Sequence, residues 1–132
     1  MPKYNIILIY MFVKIITTIF LLILVDSIYL YSIKDMFIQQ IVKVQGSPIS
    51  LDFFAALLCY IALAFGVNYF ILREKKSLLD AFLLGIVIYA VYETTSKALL
   101  KNWTYKIVVM DTLWGGILFA ITTFIMRKLY KF

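Results

Sequence analysis

The sequence predicts an all-α, polytopic membrane protein: a bundle of four transmembrane helices with an interfacial helix in its first loop. Three observations carry this. Of the 132 residues, 64% are hydrophobic and only 15% charged, with a mean hydropathy of +0.98; soluble domains are about 45–50% apolar and about 25% charged. The apolar residues fall into runs of about 20, the length that crosses a bilayer as a helix. Short charged or aromatic turns separate the runs, and aromatics reach 17%, as belts at membrane interfaces require. The length is that of one domain, residues 1–132.

The first run extends from Tyr4 to Tyr31 and is broken by Lys14 and Asp26. Two registers fit. One spans about 15–32, with Lys14 snorkelling to one surface and Asp26 submerged; the other spans Asn5 to Val25 and submerges Lys14. The run is long for the apolar core of a cleaved signal peptide, although Val25 and Ser27 are small enough to flank a cut. In the first loop, Met36, Phe37, Ile41 and Val44 recur at helical spacing, so this segment is expected to lie as a helix at the membrane surface. Gly46 and Pro48 end it, and Ser50 is a plausible N-cap for the next helix. The second span covers about 51–72, where Asp52 is expected to complement the helix dipole from the first turn. "REKK" (Arg73 to Lys76) turns the chain into a third span at about 78–100. "KNWTYK" follows, with Trp103 and Tyr105 read as interface anchors, and the fourth span covers about 107–125.

Four spans place both termini and the "REKK" turn on one side. That side carries eight Lys and Arg residues (Lys3, Lys14, Arg73, Lys75, Lys76, Arg127, Lys128, Lys131) against five on the other (Lys34, Lys43, Lys97, Lys101, Lys106). The excess predicts cytoplasmic N- and C-termini. The net charge of +6 is accounted for by these span ends, so the partner is the lipid bilayer and no nucleic acid is implied.

Histidine is absent and Cys59 is the only cysteine. Histidine-dependent catalytic triads, histidine zinc sites, thiolate clusters and intrachain disulfides are therefore excluded. Cys59 lies in an apolar run and is expected to be an inert buried thiol. No Gly-rich phosphate loop occurs, and neither a cofactor nor a metal centre is implied.

The informative residues are the acids within the spans. At 1.5 Å per residue, Asp26, Glu93 and Asp111 each fall roughly 7–10 Å below the outer interface. On span three, Gly85, Tyr89, Tyr92, Glu93 and Ser96 share one helical face; on span four, Asp111, Trp114, Gly115, Leu118 and Thr122 do the same. Such a polar stripe faces protein or water rather than lipid, and Gly115 with Gly116 permits close helix approach. An aspartate at a helix centre costs about 2.5–3.5 kcal/mol on insertion scales. Lys97, one turn after Glu93, could pair with the acids or snorkel outward; unpaired, some carboxyls are expected to stay protonated. Tyr29, Tyr89 and Tyr92 can donate hydrogen bonds to them. The predicted intramembrane polar site is thus Asp26, Tyr89, Tyr92, Glu93, Ser96, Lys97, Asp111 and Trp114.

The segment "YAVYETTSKALLKNWTYKIVVMDTLWGG" resembles the small four-span proteins of domain-of-unknown-function family 2177. The pattern is a Tyr-acid-x-Thr segment, a short Trp-containing turn and an Asp-x-x-Trp-Gly segment, matched by Tyr92, Glu93, Thr95, Trp103, Asp111, Trp114 and Gly115. Asp26 and Tyr29 match an acid and aromatic near the end of the family's first span, and "LDFFAALLCYIAL" is similar to its second. The likeness covers Lys14 onward, with residues before it read as an extension. Glu93 stands for the family's usual Asp, Ser96 for Asn, and Lys97 for an apolar residue. The resemblance implies the four-span fold and the register with Asp26 submerged, and it implies no reaction.

Three functions compete. The acids could bind protons, a small ion or a metabolite in a carrier or channel, for which four helices are few and a homodimer is expected. They could hold the bundle together as structural glue in an assembly protein. Or Glu93 or Asp111 could serve a lipid-facing enzyme as acid, base or cation ligand.

Overall fold

The computed structural model describes residues 2–131. Its five helices are α1 (Lys3–Ser32), α2 (Lys34–Gln45), α3 (Phe53–Gly66, continued by a π-helical turn at Val67–Leu72), α4 (Leu78–Leu99) and α5 (Tyr105–Tyr130). Four are long and apolar enough to cross a membrane: Lys3–Ser32, Phe53–Leu72, Leu78–Leu99 and Tyr105–Tyr130. The all-α four-span expectation therefore holds. Both registers considered for the first span fall inside one unbroken helix of 30 residues. Its length of about 45 Å exceeds a hydrocarbon core of about 30 Å, so α1 must tilt or project from the bilayer.

The ends of the helices follow their local chemistry. Gly46 closes α2 at φ +75°, a left-handed position that suits residues without a Cβ. Ser50 is not the cap of α3. Asp52 is, with its carboxylate accepting from Ala55 N at 3.0 Å; a short carboxylate at the N-cap position answers the free N–H groups better than a serine two residues upstream. Ser77 and Asp80 form a reciprocal capping box on α4. Thr104 caps α5 through Ile107 N, and the turn before it is made by Asn102 at φ +66°.

Packing is uneven. α4 and α5 form the most extensive helix pair, joined by small residues. A Cβ on Gly85 would stand 2.2 Å from the Gly115 carbonyl oxygen, and one on Gly115 would stand 2.3 Å from the Tyr89 ring. Backbones approach this closely only where neither helix carries a side chain, which is how membrane helices gain van der Waals contact without a hydrophobic drive. α1 packs on both α3 and α5, and the π-helical tail of α3 touches α1, α4 and α5. Between α3 proper and α4 or α5, no Cα atoms approach within 8 Å among the described residues. The bundle is thus closed at the end that carries both termini and parted at the opposite end. Leu22, Ala64, Val67, Ala81, Leu118, Phe119 and Met126 form the centre of the core.

α2 clasps the turn between α4 and α5. Gln40 Nε2 donates to the Asn102 carbonyl at 2.9 Å, and Asn102 Nδ2 donates to the Lys43 carbonyl at 3.3 Å. Met36, Ile41 and Val44 lie against Trp103, Ile107 and Val108. The apolar stripe that predicted a surface helix is therefore directed at the far end of the bundle.

Candidate functional site

Helix periodicity brings the buried faces together. On α1, Thr18, Leu22 and Asp26 recur every four residues, and all are buried. On α5, Gly115, Leu118, Phe119 and Thr122 share the inward face. On α4, Gly85 and Glu93 point inward.

Asp26 is 8% exposed and is held by two donors from two other helices. Tyr60 of α3 donates through its hydroxyl to Oδ2 at 2.6 Å, and Trp114 of α5 donates through Nε1 to Oδ1 at 2.8 Å. Trp114 is itself fixed by stacking on Tyr29, with ring centroids 4.4 Å apart and planes 9° from parallel. Glu93 is 1% exposed, and Trp103 donates to its Oε2 at 2.9 Å. Asp111 lies against the Glu93 carboxyl and beside the Tyr29 hydroxyl, with Asp26 further off. The Tyr29 oxygen is buried and faces the Asp111 carboxyl.

The acids therefore form a close pair, Glu93 and Asp111, with Asp26 as a neighbour engaged elsewhere. No group of three or more acids or thiols is arranged to hold a metal ion among the described residues. Among the described residues no ion pair neutralises Glu93 or Asp111 either. Lys97 does not turn toward the acids: its ammonium lies 4.8 Å from the Tyr105 ring centroid. Position 97 follows Glu93 by one turn, yet the side chain extends past the helix end, where an aromatic face and solvent are available to a charge. The single ion pair among the described residues joins Arg73 and Glu74 at the opposite end.

The remaining positions divide. Tyr89 packs against the core and covers Gly115. Tyr92 is 58% exposed and meets Trp103 edge-on; it lies off the inward face that the spacing assigned to it. Ser96 stands beside Tyr92. Trp103 is not an interface anchor, being 3% exposed beneath α2: the short turn folds its indole back over Glu93, whereas Tyr105, 71% exposed, points outward. Cys59 is exposed on the bundle surface, unlike the buried thiol expected of it, because α3 does not pack on α4.

One partner of Asp26, Tyr60, escaped the sequence reading. Tyr60 lies on the stripe Tyr60, Ala64, Val67 and Ile71, whose i, i+4, i+7, i+11 spacing marks the buried side of α3; that spacing could have found it. At the other end, Thr18 accepts from Asn68 Nδ2 at 2.9 Å, and Thr17 bonds the Tyr130 hydroxyl at 2.9 Å. Thr122 and Thr123 are fully buried, and their hydroxyls make no hydrogen bond among the described residues. The polar content of the bundle thus extends below the acids.

Comparison with known proteins agrees with this architecture. Residues 6–127 match a family described as a predicted membrane protein of unknown function, family 2177. The match starts ahead of Lys14, so most of the segment read as an extension lies within the family match. Neither the curated proteins nor the solved structures compared with the chain provide a match. With four apolar spans and a family match over almost its whole length, the chain belongs to domain-of-unknown-function family 2177, an integral membrane family.

Proposed function

We propose that the protein is a small carrier or channel in which Glu93 and Asp111 bind a proton or a small cation, with Asp26, Tyr29, Tyr60, Trp103 and Trp114 shaping the site. The observation that supports it most is the Glu93–Asp111 pair: two carboxyls side by side, one of them fully buried, with no ion pair to either among the described residues. Two adjacent carboxylates in a medium of low dielectric repel strongly. A shared proton or a bound cation relieves that repulsion, and exchanging it between the two sides of the membrane is transport. The unsatisfied hydroxyls of Thr122 and Thr123 supply polar positions deeper in the bundle. Four helices are few for a carrier, so a homodimer is part of this reading, as are cytoplasmic termini.

The test is flux in proteoliposomes with a pH-sensitive dye inside. Glu93→Gln and Asp111→Asn are each expected to lower proton or cation flux at least tenfold while the proteins melt within a few degrees of wild type. Unchanged flux in both variants would end the transport reading. A second reading has its own support, because Asp26 bridges three helices through Tyr60 and Trp114. If the acids serve only cohesion, Asp26→Asn, Glu93→Gln and Asp111→Asn all lower the melting temperature and no flux is seen in wild type.

A further inference from the structure

Where α4 begins and α5 finishes, the two helices leave a groove of about 620 Å³ lined by Leu78, Phe124, Arg127, Lys128 and Lys131, within the range of about 300–1,000 Å³ typical of small-molecule sites. We propose that this groove seats one anionic phospholipid, with its phosphate among Arg127, Lys128 and Lys131 and an acyl chain descending α5 along Phe124, Ile121 and Ile117. The inference does not rest on the transport reading, because the groove and the carboxyls stand at opposite ends of the bundle.

Helix periodicity gathers the cations. Phe124, Arg127, Lys128 and Lys131 follow i, i+3, i+4, i+7 spacing and share one face of α5. Their position along the helix sets their depth. Arg127 lies 22 residues after Tyr105, where α5 begins, about 33 Å at the rise of a helix and close to the thickness of the hydrocarbon core. Leu78, on the other wall, is the first residue of α4 and stands at the same end. The cations therefore occupy headgroup level. Below them, Ile117, Ile121 and Phe124 are each more than a third exposed. With Lys128 they follow i, i+4, i+7, i+11 spacing, so they form one lipid-facing stripe that leads from the cations toward the bilayer centre.

The charge at this end is unbalanced. Both acidic side chains nearby are engaged elsewhere: Glu74 pairs with Arg73 at 3.0 Å, and Asp80 accepts from Ser77 N and Oγ at 3.1 and 2.9 Å in the cap of α4. Neither lines the groove, and none of its three cations enters an ion pair among the described residues. The Lys128 ammonium lies 5.4 Å from the Phe124 ring centroid, which places a charge directly beside the apolar stripe. A ring at an exposed site is a weaker partner than a phosphate oxygen, whose hydrogen bonds are charge-assisted. Lys131 ends α5 at φ +53°, a left-handed position that favours glycine; the lysine forgoes the easier turn and adds a third ammonium. Cations in a last turn also complement the helix dipole, and long basic side chains mark the ends of spans. Those roles ask for charge alone. Convergence on a groove between two helices, above an apolar stripe, is what a phosphate that carries acyl chains requires.

Native mass spectrometry of the full chain in neutral detergent, with phosphatidylglycerol and phosphatidylcholine of identical acyl chains at equal concentration, tests this. Wild type is expected to retain phosphatidylglycerol in preference. Arg127→Gln, Lys128→Gln and Lys131→Gly should each reduce that preference about fivefold, the equivalent of one cation near an anionic headgroup. Lys131→Gly should also melt no lower than wild type, because it relieves the left-handed turn, so its loss of lipid is not a loss of fold. Lys3→Gln and Lys75→Gln remove charge at the same end outside the groove and should leave the preference unchanged. Equal retention of the two lipids would overturn the proposal, as would equal losses in all five variants, which would show general surface attraction. Inorganic phosphate offered alone should bind undetectably; tight phosphate binding would show that the apolar stripe contributes nothing and would overturn the lipid assignment. For the acyl chain, Phe124→Trp adds a fluorophore on the stripe. Its emission, read as the difference from wild type, should be quenched more by brominated phosphatidylglycerol than by brominated phosphatidylcholine, and equal quenching would refute the seat.

Discussion

The seam between α4 and α5 and the flank of α3 are built on opposite plans. At the seam, Gly85 and Gly115 remove side chains so that two backbones meet, with Tyr89 closing over Gly115 and Phe82 over Gly116. Along α3, by contrast, the helix proper packs on α1, and it rejoins the rest of the bundle through a π-helical tail pinned by Asn68. The α3 stretch is the more apolar of the two in sequence. The difference teaches that in a membrane apolar character does not produce cohesion, because lipid tails are as apolar as leucine; close approach and hydrogen bonds do. The acids sit where the two plans meet, carried by α1, α4 and α5 and reached from α3 through Tyr60.

Breaking the seam should have the largest effect. Gly85→Leu places its Cβ against the backbone of Gly115, which cannot yield as a side chain would. A loss of about 3 kcal/mol is expected, seen as a fall of about 10 °C in the melting temperature in detergent; a fall of only a degree or two would show that the seam is not the cohesive element. Next comes the link from the turn to the acids. Trp103→Phe keeps the ring under α2 and removes the donor to Glu93. About 1–2 kcal/mol should be lost, and the loss should shrink when Glu93→Gln is already present, which a double-mutant cycle measures. On the α3 side, Asn68→Leu breaks the bridges to Thr18 and Ala64. The cost should be about 0.6–1 kcal/mol, the scale of interhelical hydrogen bonds in membranes, with greater hydrogen exchange confined to 67–72. The smallest effect belongs to Phe65→Ala: its ring is 53% exposed, so stability in neutral detergent should change by no more than about 0.5 kcal/mol. A large loss there would mean that α3 is packed against something the single chain does not contain.

The four spans, the helix in the first loop and the turns were legible in the sequence because each depends on local quantities. Length and apolarity make a span, Gly46 stops α2, and Ser77 with Asp80 starts α4. The inward faces of α4 and α5 were legible only where polar residues or glycines marked them, as Glu93, Asp111, Gly85 and Gly115 do. Elsewhere the reading failed for one reason. Trp103 looks like any interfacial tryptophan, and Tyr60 like any tyrosine in a span, until the turn folds back and α3 leans on α1. Lys97 illustrates the converse: its spacing from Glu93 offered a pair, and the nearby Tyr105 ring and helix end offered a better place for the charge.

What the sequence by itself determined is therefore the number of spans and the approximate place of each in the chain. Both follow from hydrophobic length and from the rise of a helix. The tertiary structure alone decided that Glu93 meets Asp111 with no ion pair among the described residues, that Asp26 is held from α3 and α5, and that α3 parts from α4. Around a span that is apolar on every side, hydrophobic pattern carries little information about which face turns inward. That choice is made by glycine contacts and hydrogen bonds between residues far apart in the chain, and they exist only once the helices have come together.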